Sequence, residues 1–566
     1  MRILCADQVE AGEGNIESIV MRDAKSTAES ENLSMRGNSN RENIESPSSS
    51  QRTFFELWER LEHASGGNTS MNDGGQSDSS IVPTTTANND RTERSAESDE
   101  GRELAKRNTD QDTSHRTQNR NNVGLSGLMG VREAARRDKN LRFTSLLHHI
   151  TPQLLIACFD NLKRDAAPGI DNVTWHEYDA DVVARIADLH GRVHRGAYRA
   201  LPSRRTWIDK PDGSKRPLGI AALEDKIVQT AVLWTIQCIY EADFCDLSYG
   251  FRPGRSCHQA LDALTVALTT RKVSWLLDAD LSKFFDTLDH EWLCKFLEHR
   301  IGDKRILRLI RKWLHAGVVD DGQWAATDVG SPQGSVISPI LANVFLHYVF
   351  DLWIKSWRKQ PGRGDVIVVR YADDFVVGFQ YQRDARDFQR DLESRFAKFG
   401  LQVNADKTRL IEFGRFAKSN LAAKGEGKPE TFDFLGFTHI SGVSRQGKFI
   451  VKRKSISKRV TRKLHALADE LRKRRHDPIG EVGRWLGRVA RGWLGYHAVP
   501  GNMASLEKFL DAIRLLWLKQ LRRRSQRNSW NWKRFTEMSR KYLPAATILH
   551  PYPIDRHHAR LKARAV

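Results

Sequence analysis

Two short apolar runs, residues 366–369 and 375–379, are rich in Val and Phe, and Tyr371-Ala372-Asp373-Asp374 lies between them. Residues of that kind suit strands, and Ala-Asp-Asp can form the tight connection of a β-hairpin with the acids at its tip. Upstream, Trp275-Leu276-Leu277-Asp278-Ala279-Asp280 reads as a short apolar strand. It runs into a helix expected to begin near Ser282 and to carry Phe285, Leu288, Trp292, Leu293 and Phe296. Further on the period changes to three and four. Ile456, Val460, Leu464, Leu467 and Leu471 mark a helix over residues 455–475, and similar patterns mark helices over 479–493 and 505–523. Residues 131–150 are periodic enough for helices as well. The longest apolar stretch, residues 336–350, is interrupted by Pro339 and His347 and is too short to cross a bilayer, so no membrane partner is expected.

Adjacent carboxylates repel each other unless a positive group lies beside them, and a divalent cation bound through oxygen is the commonest solution. A solvated turn is the plain alternative, because Asp is frequent in turns. A third acid at the end of a neighbouring strand changes the balance. Asp280, Asp373 and Asp374 together would form a three-carboxylate cage. Such a cage holds two Mg2+ ions roughly 4 Å apart, one activating a 3′-hydroxyl and the other steadying the leaving pyrophosphate. Asp278 shares a strand face with Asp280 and is the rival ligand.

Several separated blocks accompany the acids in a fixed order: Ala167-Pro168-Gly169-Ile170-Asp171, Lys210-Pro211-Asp212-Gly213 through Ile220, and Ser248-Tyr249-Gly250-Phe251-Arg252-Pro253-Gly254-Arg255-Ser256. Gly330-Ser331-Pro332-Gln333-Gly334, Asn404-Ala405-Asp406-Lys407-Thr408 and Phe432-Asp433-Phe434-Leu435-Gly436-Phe437 follow. In this succession the chain resembles the group II intron-encoded reverse transcriptases and maturases. The resemblance implies an α+β right-hand polymerase, with fingers and palm of mixed helix and antiparallel sheet followed by an α-helical thumb or maturase domain. It assigns Asp280, Asp373 and Asp374 to catalysis and to two metals. Lys210, Arg216, Phe285, Gln333 and Lys407 go to the deoxynucleoside triphosphate. Lys210 and Arg216 would grip the triphosphate, and Phe285 would be a steric gate against a ribose 2′-hydroxyl, with Phe284 in its place if the register differs. Lys407 is either a phosphate contact and proton donor to pyrophosphate or a surface lysine. Asn172 and Ser331 depart from the usual residues at their positions, which bears on local turn geometry.

Charge divides the chain further. Of the net +20, residues 451–566 contribute +21, with 29 Lys and Arg against 8 Asp and Glu, while residues 1–120 contribute −8. A basic region with interleaved aromatics is the footprint of a polyanion binder. Arg491-Gly492-Trp493-Leu494-Gly495-Tyr496 resembles the maturase block, and Arg484, Arg488, Arg491, Trp493 and Tyr496 are the expected RNA-binding residues. Folded RNA is read by shape, backbone and stacking. The expected partners are group II intron RNA, target DNA and deoxynucleoside triphosphates; a homodimer is left open.

The expected division is a disordered extension over 1–122, an N-terminal fingers extension over 123–200, fingers and palm over 201–440, thumb over 441–515, and a basic segment over 516–566 whose composition permits DNA binding. Residues 1–122 are polar and poor in large apolar side chains; Phe54-Phe55-Glu56-Leu57-Trp58 through Leu61 is the one amphipathic exception. The six cysteines form no Cys-x-x-Cys pair and none follows Cys294. No endonuclease domain is therefore expected, and retrohoming would draw its primer from elsewhere. Scattered thiols and the lack of a signal-peptide core point to the cytoplasm. The expected function is an RNA-directed DNA polymerase that copies intron RNA and promotes its splicing and mobility. The alternatives are a vestigial polymerase acting as a splicing cofactor, or a related enzyme recruited to host defence.

Overall fold

Three small sheets and the helices between them make up the computed structural model, which describes residues 127–209, 215–327, 329–331, 333–425, 427–524 and 530–557. The expected disorder of residues 1–122 and the expected triphosphate contact Lys210 lie outside the described residues. β1 (Ser203–Asp209) and β2 (Lys215–Ile220) pair antiparallel, and with β4 (Val318–Asp320) and β5 (Gln323–Ala325) they form a sheet of order β2-β1-β4-β5. This is the fingers sheet. The palm sheet has the order β6-β7-β3-β8, built from β3 (Trp275–Asp280), β6 (Val366–Tyr371), β7 (Asp374–Phe379) and β8 (Arg409–Glu412). Every pairing in it is antiparallel.

Alternation along β3 and β7 gives the palm sheet two apolar faces. Leu277, Ala279, Phe375 and Val377 join the larger core with the fingers helices; Leu276, Val376, Ile367 and Ile411 join a second core on the opposite face. Helix α1 (Leu223–Asp243) is buried around nearly its whole circumference from Ile227 to Tyr240, its polar residues Gln229, Thr230, Thr235 and Gln237 included. Helix α2 (Cys257–Thr270) packs on the second face and starts at a capping box, in which Ser256 and Gln259 satisfy each other's backbone N–H groups. Helix α3 (Ser338–Leu346) continues through a π-helical turn, His347–Asp351, into Leu352–Trp357. The long apolar stretch is thus a core helix. Among the described residues no helix is long and apolar enough to cross a membrane.

The helix expected from Ser282 is instead two pieces. Lys283 takes a left-handed conformation, a single turn Phe284–Thr287 follows, and Asp289 then caps a new helix, His290–Glu298. The thumb helices match their apolar stripes: α4 (Ser457–Lys473), α5 (Ile479–His497) and α6 (Met503–Arg522).

Two expected domain boundaries are corrected. The one at 440/441 cuts β10 (Phe437–Val443), which pairs with β9 (Phe432–Phe434) and β11 (Phe449–Ser455) in a connecting sheet. The one at 515/516 cuts α6. Trp517 and Leu521 of α6, Phe535 of helix α7 (Trp532–Ser539) and Leu543 all belong to the thumb core with Leu486 and Phe509. Gly483 and Gly487 leave a groove on α5 for Tyr542, whose ring lies 2.6 Å from where a Cβ on Gly483 would stand. The C-terminal segment is therefore part of the thumb fold, and Arg556 closes onto the palm by pairing with buried Asp262 of α2.

Phe535 has no exposed surface. Phe535→Ala should cost about 3–4 kcal/mol by chemical denaturation, whereas a loss below about 1 kcal/mol would mean that the segment after residue 516 is not part of the thumb core.

Candidate active site

β3 and β7 run side by side in a register that sets Asp280 opposite Asp374, and Tyr371 of β6 faces the same Asp374. Lateral neighbours share a face, so Asp280 and Asp374 project together, and Asp278 lies one step further along that face. Ala372 and Asp373 alone connect β6 to β7, which makes the acids the tip of a two-residue hairpin.

That tip is strained. Ala372 has φ +59, a left-handed conformation that favours glycine. What holds it is a buried arginine. Arg370 has no exposed surface, and its guanidinium donates to both Asp351 carboxylate oxygens, at 2.7 and 2.5 Å. It also donates to Asn343 Oδ1 at 3.1 Å and to the Ala372 carbonyl at 3.0 Å. Asn343 in turn donates to the Gly250 carbonyl at 2.8 Å. Gly250 presses on the turn so closely that a Cβ there would stand 2.4 Å from the Ala372 nitrogen. The Tyr-Gly-Phe-Arg block is thereby explained: residues 247–249 bridge to Arg370 through two backbone bonds of 2.8 Å. Sequence reasoning missed Arg370, Asp351, Asn343 and Gly250 as a unit. An arginine inside an otherwise apolar strand was the available signal.

Electrostatics mark the acids as an unfinished site. Burial holds the Asp374 carboxyl well above the usual range, and Asp278, Asp373 and Asp280 push it further in that direction, with Arg459 opposing. Asp278 is pushed up to about 6, mainly by burial, although Arg409 lies 3.7 Å away and counters it. Asp280 pairs with Lys407 Nζ at 2.7 Å, and that contact raises the lysine. Among the described residues no three metal-type side chains are gathered in the geometry of a bound ion. The donor set nevertheless suits a hard divalent cation: oxygen ligands only, on half-buried carboxylates whose mutual repulsion a cation would relieve.

Of the expected nucleotide residues, Lys407 touches the acids, while Phe284 and Phe285 belong with the larger core. Phe284 is 2% exposed and packs on Phe345, while Phe285 is half-buried at the core's margin. The loop at Gly330–Gly334 clasps Phe285 and β2 together. Ser331 N donates to the Phe285 carbonyl at 2.7 Å, and Gly219 N donates to the Gln333 carbonyl at 2.6 Å. Gly330 (φ +88) and Gly334 (φ +104) permit both approaches, since a Cβ on either would meet a backbone oxygen at 2.7–2.8 Å. Gln333 donates to Asp286 at 3.4 Å. Arg216 stands exposed on β2. Asn172, noted for replacing glycine, has φ +55, which asparagine tolerates better than most residues.

Of the expected RNA contacts, Arg484, Arg488 and Arg491 share an exposed stripe of α5. Trp493 and Tyr496 instead engage other parts of the protein. Trp493 is buried between His497 and Phe509, at ring distances of 3.9 and 4.5 Å, and the Tyr496 hydroxyl donates to the Leu435 carbonyl at 2.7 Å. Their spacing from Leu486 and Ala490 places Trp493 on the apolar stripe.

The profile of the family described as reverse transcriptase (RNA-dependent DNA polymerase) matches residues 208–439, which hold all three acids. Protein YkfC of Escherichia coli (strain K12) is 36% identical over 312 residues, 49% of this chain and 81% of that protein. The group II intron-encoded protein LtrA of Lactococcus lactis subsp. cremoris is 34% identical over 227 residues, 39% of this chain and 38% of LtrA. This chain belongs to the group II intron reverse transcriptase and maturase family. Nuclear intron maturase 2, mitochondrial, of Arabidopsis thaliana is a more distant member, 27% identical over 187 residues that make up 25% of each chain. Matches to LtrA and to the maturase span well under half of those proteins, whereas most of YkfC is covered. Membership makes the enzyme class that of a reverse transcriptase, an RNA-directed DNA polymerase.

A carboxyl raised in the folded state stabilises the fold at low pH, and that contribution disappears as pH climbs through the raised value. Asp374→Asn removes the titration. In metal-free buffer at pH 8 its melting midpoint should exceed wild type by about 1–2 °C, with the gap closing toward pH 4. A midpoint below wild type at pH 8 would contradict the assignment of Asp374 as a destabilising acid.

Proposed function

We propose that this reverse transcriptase copies its intron RNA into DNA by two-metal nucleotidyl transfer and also holds that RNA in a splicing-competent shape, supporting intron mobility. The observation that carries the reading is the pairing of Asp280 with Asp374 beside the hairpin tip Asp373. When bound at these three carboxylates, two Mg2+ ions would acidify the primer 3′-hydroxyl and offset charge on the departing pyrophosphate.

The chain's own residues do the rest. The clamped hairpin presents fixed oxygen ligands, so no reorganisation is needed when the substrates arrive. Phe285, held by the Ser331 backbone, would lie under the sugar of the incoming nucleotide and exclude a 2′-hydroxyl, and Phe284 is left to the core. Gln333 would border the nucleotide from the same loop. Lys210 and Arg216 would neutralise the triphosphate. Lys407 stands beside Asp280 with its side chain largely exposed, where it can donate a proton to pyrophosphate as the bond to the α-phosphate breaks. Asp278, engaged with Arg409, is left as a supporting acid.

Arg484, Arg488 and Arg491 recur at four and three residues, so they can follow one RNA backbone along α5. The excess charge of the last fifth of the chain favours polyanions generally, and target DNA is included among the expected partners.

Primer extension on an RNA template with Mg2+ tests the reading. Wild type should extend, and Asp373→Ala should fall by at least about 10³-fold, the scale of losing a metal ligand and its electrostatic stabilisation. Equal product from both would sink the catalytic assignment. Phe285→Ala should admit ribonucleotides at least about tenfold more readily, whereas Phe284→Ala should lose stability without that change.

A further inference from the structure

Leu435 and Gly436 form the two-residue turn between β9 and β10, and both have positive φ, +45 and +86. Glycine adopts such a conformation freely, but leucine does not, and the strain persists only where the surroundings over-determine it.

Those surroundings come from the thumb. The Tyr496 hydroxyl donates to the Leu435 carbonyl at 2.7 Å. Its ring lies 3.3 Å from the position a Cβ on Gly436 would take and stacks on Phe437 with centroids 5.6 Å apart. It also tilts against His258 at the start of α2, at 4.9 Å. At the root of α4, Ile456 N donates to the Gly436 carbonyl at 3.3 Å. Next along α5, His497 Nδ1 is 2.9 Å from Ser455 Oγ, and Asn502 donates both to that oxygen and to the His497 carbonyl at 2.8 Å. The block from Arg491 to Tyr496 thus turns its aromatic side inward and makes the joint between thumb and palm.

The turn also lies on the acids' face of the palm sheet. Asp280 and Asp374 project from the palm face that carries Leu276 and Val376. On that face Leu435 and Tyr496 pack in one cluster with Tyr371 of the hairpin and Tyr249. Nearby, Arg409 of β8 donates to the Thr431 carbonyl at 3.5 Å. The turn and the hairpin thus lie on one face of the palm sheet.

We propose that Tyr496 is a positioning residue of the polymerase reaction. Its hydroxyl holds the Leu435-Gly436 turn in its left-handed form, and the turn sets the primer 3′ end over Asp280 and Asp374. The proposal rests on the polymerase reading above. It gives the maturase block a second task besides any RNA contact made by its arginines: the thumb and the primer terminus move together.

Oligo(dT) annealed to poly(rA) serves as the probe. Tyr496→Phe should raise KM for this primer–template roughly fivefold, the worth of one hydrogen bond. KM for the nucleotide, the unfolding midpoint and affinity for a folded group II intron transcript should stay within twofold of wild type or within about 1 °C. Adding Leu435→Gly, which relieves the strain, should recover at least half of the lost primer affinity. An unchanged primer KM in an active Tyr496→Phe enzyme overturns the proposal alone. So does weakened transcript binding with intact extension, which would make Tyr496 an RNA contact. Failure of Leu435→Gly to recover any affinity would reduce Tyr496 to a general support of the thumb, and it too overturns the proposal. A wild type that cannot extend the primer overturns the polymerase reading along with it.

Discussion

A buried ion pair, Arg370 with Asp351, is the constraint on which the candidate site depends. Taking two charges out of water costs several kcal/mol per ion, and only close geometry with further hydrogen bonds offsets that cost. Arg370 meets this condition with two bonds to Asp351, one to Asn343 and one to the Ala372 carbonyl. The last of these reaches the strained tip itself. Repulsion among Asp280, Asp373, Asp374 and Asp278 would favour any motion that spreads the acids, and a left-handed alanine would favour any relaxation of the turn. The clamp opposes both. It works because Gly250 lets a second backbone lie on the turn, and because the π-helical turn after α3 brings Asp351 under β6 with no exposed surface.

Around this point the palm sheet separates two functions by the parity of its residues. One face buries Leu277, Ala279 and Phe375 against the fingers helices; the other carries the acids and receives the thumb joint. The loop at Gly330–Gly334 ties Phe285 to β2, so the fingers strands and the gate candidate share one support. At the opposite end of the chain, Arg556 reaches back to Asp262, which also meets Arg453 of β11 at 3.4 Å. The basic thumb is consequently fastened to the palm through β11, at Tyr496 and near its last described residues.

Much of this was legible in the sequence because local pattern and tertiary role agree. The hairpin strands are β-branched and aromatic on both sides of a two-residue connection, and β3 ends on its acid. The thumb helices follow apolar stripes that the fold buries. Legibility ended where the decisive feature is non-local. Nothing in residues 347–351 signals a π-helical turn, and Asp351 meets Arg370 only across the core. Lys283 broke an otherwise helical pattern through one left-handed residue, which composition does not reveal. Trp493 and Tyr496 were grouped with the RNA-binding arginines because aromatics interleaved with basic residues suit nucleic acid. Their helical phase with Leu486, Ala490 and His497 carries the better information. The two misplaced boundaries fall inside β10 and α6, and packing rather than the extent of sequence blocks decides where a domain ends.

The Arg370 clamp sets the position of the strained turn that carries Asp373 and Asp374. Arg370→Lys keeps the charge but cannot bridge both Asp351 oxygens and the Ala372 carbonyl at once. Single-turnover incorporation, measured with saturating primer–template and nucleotide, should slow by about 10²-fold, the scale of a displacement of about 1 Å at a reacting centre. Nucleotide affinity should stay within about twofold, since Arg370 lies beneath the turn and does not reach the triphosphate side. A folded Arg370→Lys enzyme that incorporates nucleotide at the wild-type rate would contradict the account.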